Sequence, residues 1–132
     1  MEKKNILIIE DEQALLDSYS EVLANEGYTV VKVVDGYKAI DMLKKDHATI
    51  GLILLDLMMP DMDGWEVYQQ MKADESTKDI PVIVVTAKAQ SIDKVLGLHI
   101  AKVDDYIAKP FSPKDLINSV ERVLAKKAEK EK

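Results

Sequence analysis

Gly51-Leu52-Ile53-Leu54-Leu55 runs without a break into Asp56, and the turn-rich segment Met59-Pro60-Asp61-Met62-Asp63-Gly64 follows almost at once. The apolar run is too short for a helix and shows no polar alternation. It reads as a strand covered on both faces, as strands of a parallel sheet are. Ile6 to Ile9, Thr29 to Val34 and Pro81 to Val85 have the same character, and Asp105-Tyr106-Ile107-Ala108 is a weaker fifth run. Helical stripes separate them. Leu15, Leu16, Tyr19, Val22 and Leu23 form one, stopped by Gly27, a residue suited to the left-handed turn that ends a helix. Ala39, Ile40 and Leu43 form the second, and Val67, Tyr68 and Met71 the third. Ile92, Val95, Leu96 and Ile100 form the fourth, weakened by Gly97 inside it, and Leu116, Ile117, Val120, Val123 and Leu124 the last. The last opens with Ser112-Pro113-Lys114-Asp115: a capping hydroxyl, a proline at the first helical position and a reciprocal carboxylate. Strand and helix therefore alternate five times. This predicts an α/β fold, a doubly wound (βα)5 five-stranded parallel sheet with right-handed crossovers and helices on both faces.

The 132 residues fit one domain. Residues 1–126 are expected to form it, with 127–132 a charged tail, either a fraying helix end or the start of a linker. There are no cysteines, which excludes a disulfide scaffold, a thiolate metal site and a cysteine nucleophile. Their absence fits a reducing cytoplasm, the expected location. A formal net charge of −6 argues against direct nucleic-acid binding. The longest apolar run, Ile50 to Leu55, falls far short of the roughly 20 residues that span a bilayer, so no membrane partner is expected. The four apolar residues before Glu10 are too few for a secretory signal.

In open α/β sheets the functional crevice lies beyond the carboxyl ends of the strands. The first strand delivers Glu10 and Asp11 there, the third Asp56, the fourth Thr86, and the fifth Lys109, followed by Pro110. Three carboxylates in one crevice repel each other, and a hard cation relieves them. Mg²⁺ suits oxygen ligands and keeps several waters, so a few acids are enough. Such a cation can hold a phosphoryl oxygen while Lys109 neutralises a second and Thr86 hydrogen-bonds a third. Asp56 ends the most apolar strand and is the best candidate for a nucleophile that forms an aspartyl-phosphate.

The chain here resembles the receiver domain of two-component response regulators, of the chemotaxis-regulator-like kind, from about Lys4 to Leu124. The resemblance rests on Ile8-Ile9-Glu10-Asp11-Glu12, on Leu54-Leu55-Asp56-Leu57-Met58-Met59-Pro60-Asp61-Met62-Asp63-Gly64, on Val84-Val85-Thr86-Ala87-Lys88 and on Asp104-Asp105-Tyr106-Ile107-Ala108-Lys109-Pro110-Phe111. It implies that Asp56 accepts a phosphoryl group from the phosphohistidine of a sensor histidine kinase or a phosphotransfer protein. It implies that Asp11, Asp56 and the Met58 backbone carbonyl ligate Mg²⁺, with Mn²⁺ able to substitute, and that Glu10 acts through a bound water. Lys109 would pair with the phosphoryl group and Thr86 close onto it. Tyr106 would be the switch aromatic, and the Lys109–Pro110 peptide would be cis. The protein would catalyse only its own phosphorylation and dephosphorylation. The face made by the fourth helical stripe, the fifth strand and the last stripe would form the output surface or a homodimer. Asp104, Asp105, Lys94, Lys102 and Arg122 are candidates for ion pairs to a partner there. The chain departs from the family in having Glu10 where aspartate is commoner. His99 to Val103 is also one residue longer than usual and lacks a glycine before Asp104-Asp105-Tyr106.

Other readings fit less well. A calcium loop counted back from Gly64 would begin at Met59 and end at Gln70, neither of them a carboxylate. An aspartyl-phosphate phosphohydrolase needs a second acid two residues after the nucleophile, where this chain has Met58. A flavodoxin-like cofactor binder shares the architecture but would not place Glu10-Asp11-Glu12 where a phosphate must sit. A degenerate receiver, serving only as an interaction module, would not be expected to keep Glu10, Asp11, Asp56, Thr86 and Lys109 together.

Overall fold

The computed structural model describes residues 4–57, 59, 64–87 and 103–130, with the backbone alone at 86 and 87. The elements are β1 (Asn5–Ile9), α1 (Gln13–Asn25), β2 (Val30–Val33), α2 (Gly36–Asp46), a 3-10 turn (His47–Thr49), β3 (Ile50–Asp56), α3 (Gly64–Ala73), β4 (Val82–Ala87), β5 (Asp105–Lys109) and α4 (Pro113–Lys130). The five strands form one sheet in the order β2-β1-β3-β4-β5, and every pairing is parallel. The order reverses between β1 and β3, so the crevice of this doubly wound sheet opens beyond the ends of those two strands.

Side-chain alternation along each strand divides the core in two. Leu7, Ile9, Ile53, Leu55, Val82 and Val84 point to one face, where α2 lays Ala39, Ile40 and Leu43 and α3 lays Val67, Tyr68 and Met71. Ile6, Ile8, Leu52, Leu54, Ile83 and Val85 point to the other, under Leu16, Tyr19 and Leu23 of α1 and Leu116, Val120 and Val123 of α4. β3 is sealed at every position except Gly51, as its unbroken apolar run predicts.

Local chemistry sets the boundaries. Gly27 takes a φ of 92° just after α1, which L side chains adopt at a cost. Asp35 caps α2 by accepting a hydrogen bond from the Lys38 N–H at 2.8 Å. α4 opens with the expected reciprocal box. Ser112 Oγ accepts from the Asp115 N–H, and Asp115 Oδ2 accepts from the Ser112 N–H, both at 3.1 Å. α4 stays helical to Lys130, well past residue 126. One of its last lysines, Lys127, donates from Nζ to the Asp79 carbonyl at 3.0 Å, which ties this end to the α3–β4 connection. The fourth stripe expected from Ile92 to Ile100 lies outside the described residues.

Candidate functional site

Each acid reaches the crevice because its strand ends there. β1 stops at Ile9, so Glu10 and Asp11 fall in the turn before α1. β3 carries Asp56 as its last residue, in register with Val85 of β4. β5 ends at Lys109, in register with Ala87, and the Lys109–Pro110 peptide is cis. Glu10 is 1% exposed and Asp56 3%. Carboxylate oxygens of Glu10, Asp11 and Asp56 all lie within 4.8 Å of one another. Lys109 Nζ enters this group, 2.9 Å from Glu10 Oε1 and 3.4 Å from Asp56 Oδ2.

The electrostatics are those of a site with more negative than positive charge. Burial pushes the Glu10 carboxyl from 4.5 up to about 7, and Asp56 beside it adds to the rise. Lys109 and the Glu12 N–H, which donates to Glu10 Oε2 at 3.2 Å, work against it. Burial opposes the Lys109 charge, yet Glu10 and Asp56 outweigh it and hold the ammonium above its ordinary range. Glu10 Oε1 is fully buried and, close as it is to Lys109, has no aligned hydrogen bond among the described residues. An acceptor left in that condition, with two further carboxylates beside it, fits a hard divalent cation. Glu10, Asp11 and Asp56 are the residues that would hold it.

Of the remaining expected site residues, Thr86 has its backbone on β4 opposite Ala108. Its side chain and all of Met58 lie outside the described residues. Tyr106 stands on β5 in register with Val84 and packs, partly buried, on the core face of α2 and α3. Of the residues expected to offer ion pairs at β5, Asp105 and Arg122 pair with each other within the chain. Asp105 Oδ2 accepts from both Ser119 and Arg122 of α4, and Asp104 Oδ2 accepts from the Val82 N–H at 2.8 Å. Lys94 and Lys102 lie outside the described residues.

Two supports of the site were not read from the sequence. Gly64 opens α3 directly against the backbone of the site strand. A Cβ there would stand 2.5 Å from the Asp56 carbonyl oxygen and 2.6 Å from Leu57 Cα. Its N–H donates to the Leu57 carbonyl at 3.1 Å. Phe111, two residues beyond Lys109, stacks on Tyr19 of α1 with ring centroids 5.0 Å apart, which pins the lysine's turn to the first helix. The sequence shows a glycine in a turn and an aromatic at the end of the Lys109-Pro110-Phe111 segment, but not what either touches.

The response regulator receiver domain family matches residues 6–121. Sensory transduction protein RegX3 of Mycobacterium tuberculosis is 42% identical over 120 residues, 91% of this chain and 50% of that protein. Response regulator SaeR of Staphylococcus aureus is 36% identical over 122 residues, 92% of this chain and 51% of that protein. The chain thus spans about half the length of the curated relatives it matches. Its fold superposes on a CheY-like response regulator receiver domain protein of Methanospirillum hungatei with a TM-score of 0.87 and 29% identity, covering 98% of this chain and 99% of the other.

Proposed function

This chain belongs to the response regulator receiver domains of two-component signalling, and from that premise we propose that Asp56 is its phosphoacceptor. The observation that carries the reading is the meeting of a buried Asp56 with Lys109 Nζ at 3.4 Å and with the carboxylates of Glu10 and Asp11. An Asp56 oxygen attacks the phosphorus of a phosphohistidine on a sensor histidine kinase or phosphotransfer protein. The oxygen–phosphorus bond forms as the phosphorus–nitrogen bond breaks, and the electron pair returns to the imidazole. Lys109 neutralises charge on the transferred group and releases its hold on the carboxylates as it does so. Glu10, Asp11 and Asp56, with the Met58 carbonyl as a further ligand, would hold Mg²⁺, which would supply Lewis-acid stabilisation of the phosphoryl oxygens. Core burial of Asp56 shields the acyl phosphate from water. The two-residue offset that a hydrolase fills with an acid holds Met58 here, so the chain acts on its own phosphoryl group and not as a turnover phosphohydrolase.

Thr86 and Tyr106 then carry the signal. Thr86 closes on the phosphoryl group, and Tyr106 turns further into the space beside β4, favouring one of two arrangements of the β5–α4 face. That face meets an output partner or a second copy of the chain in the cytoplasm. Residues 1–126 form the switching unit, and in a longer regulator the last turns of α4 lead on to the output part.

The test is intact mass after incubation with a small-molecule phosphodonor and Mg²⁺, beside Asp56→Asn and a chelator control. Gain of one phosphoryl group, lost in both controls, is the expected result. No gain from folded protein with Mg²⁺ present overturns the reading in favour of an interaction module.

A further inference from the structure

The pole of the sheet opposite Asp56 holds two adjoining clefts that the phosphoacceptor chemistry does not use. The larger encloses about 590 Å³, inside the roughly 300–1,000 Å³ range of ligand clefts. Its floor is made of the first residues of the central strands, Ile6, Ile50 and Leu52, with Ile80 and Leu124 beside them. Tyr28 and His47 bring half-buried aromatic rings to it. Its outer wall is the end of α4, Lys127 and Ala128, so the residues expected as a tail build the cleft. The smaller encloses about 240 Å³ and shares Asp79, Pro81 and Lys127 with the larger. Lys72, Lys78, Lys126, Lys127 and Lys130 line it, against Asp79 and Asp104 alone among acids.

That gathering of cations stands out in a chain of net charge −6. Lysines in the last turn of a helix answer its dipole, and this accounts for Lys72 of α3 and for Lys127 and Lys130 of α4. Lys78 is held by an ion pair to Glu75 at 2.9 Å, which leaves Lys126 as the cation on the same cleft that neither effect explains. Asp79 and Asp104 offset part of this charge and both act on Lys72, but two carboxylates do not balance the lysines that line the cleft. Lys72 is half-buried, donates to the Lys78 carbonyl at 2.7 Å and lies 5.4 Å from the Tyr68 ring centre, with no carboxylate ion pair among the described residues. Burial lowers its pKa, so an arriving anion would find a cation already stripped of part of its water.

An apolar cleft with two aromatic rings, continuous with a lysine-lined one, calls for a ligand with a flat apolar body and a polyanionic end. We propose that this pole binds a nucleoside di- or triphosphate, with the base in the larger cleft near Tyr28 and His47 and the phosphates among Lys72, Lys126 and Lys130. Bases stack on aromatic rings, and phosphate oxygens accept charge-assisted bonds from lysine. The proposal is independent of the phosphoacceptor reading.

The experiment is amide-resolved NMR titration of the full chain with ATP and with GTP in a chelating buffer, on the wild type and on Asp56→Asn alike. Saturable shifts are expected at Ile6, Ala48, Leu52, Ile80 and Lys127, the same in both proteins. Lys126→Glu, at an exposed helix position, is expected to weaken binding by about tenfold, the value of one charge-assisted bond. Ala128→Trp, also exposed, is expected to block the apolar cleft and reduce nucleotide binding while sparing pyrophosphate. Absence of saturable shifts at millimolar nucleotide, shifts centred on Glu10 and Asp56, or full affinity in Lys126→Glu would each overturn the proposal. Pyrophosphate binding as tightly as ATP would reduce the site to an anion cleft. Capture by vesicles of anionic phospholipid without any response to nucleotide would replace it with a membrane surface.

Discussion

The two poles of this sheet use charge in opposite ways. Beyond the carboxyl ends of the strands, three acids and one lysine are packed close, with Glu10 and Asp56 almost wholly buried. Beyond the amino ends, five lysines line an open cleft, Lys126 and Lys130 exposed and Lys72, Lys78 and Lys127 half-buried, four of them toward helix ends and Lys78 on the connection after α3. The first arrangement couples its members, so that the state of one changes the others, as Glu10 and Lys109 show by their displaced pKa values. The second is more open to water, where exposed charges such as Lys126 and Lys130 interact weakly and can be changed alone. Chemistry suits the first pole and recognition the second.

The sharpest way to break this contrast is to exchange single residues across it. Asp56→Asn is expected to abolish phosphoryl uptake in the intact-mass assay, while Lys126→Glu and Lys130→Glu leave it at the wild-type rate. Lys109→Met is expected to slow uptake from a small phosphodonor by about 100-fold, in the range of removing one preorganised charge from a developing oxyanion. A stopped-flow trace of Trp65 fluorescence would measure it, since Trp65 packs against the α2/α3 face.

Gly64→Val tests the backbone support of the acidic pole. A side chain placed 2.5 Å from the Asp56 carbonyl must displace β3 or α3. Urea melts are expected to show a loss of about 1–3 kcal/mol, the usual cost of overpacking, and phosphoryl uptake is expected to fall with it.

The coupling also predicts a pH dependence below neutrality. Glu10 gives up its proton near 4.5 in the unfolded chain but keeps it to about 7 in the fold. Between those values the folded state holds more protons, so stability falls as pH rises through the window. In chelated protein the melting temperature is therefore expected to climb as pH is lowered from 7 toward 5. Glu10→Gln is expected to flatten that slope, as is saturating Mg²⁺, and Lys126→Glu is not. The smallest effect is expected at the rim between the poles. Arg122→Ala breaks the exposed pair to Asp105 and should cost under about 1 kcal/mol in the same melts.

The acidic pole was far more legible in the sequence than the lysine pole. Glu10, Asp11, Asp56 and Lys109 each follow directly from a strand, and a parallel sheet sends all its strand ends to one edge. Finding the strands was therefore enough to bring those residues together. The lysines of the opposite cleft come from the end of α3, the connection after it and the end of α4. Nothing periodic links Lys72 to Lys130, and the last of them stood in what read as a tail. The contact of Asp105 with Arg122 was hidden for a related reason: spacing shows that they share a face, not that they reach each other.

What the sequence determined by itself was set by short-range physics. Apolar runs, 3.6-residue stripes, a capping box at Ser112 and a left-handed stop at Gly27 are properties of neighbouring residues, and they sufficed for the order of the described elements and the gathering of Glu10, Asp11 and Asp56 at one sheet edge. Tertiary structure alone decided the 2.9 Å approach of Lys109 to Glu10, the Tyr19–Phe111 stack, the closeness of Gly64 to Asp56 and the clefts behind the sheet. Each joins residues far apart in the chain, and such contacts depend on how helices seat on the sheet to within an ångström. No pattern along the chain carries that information.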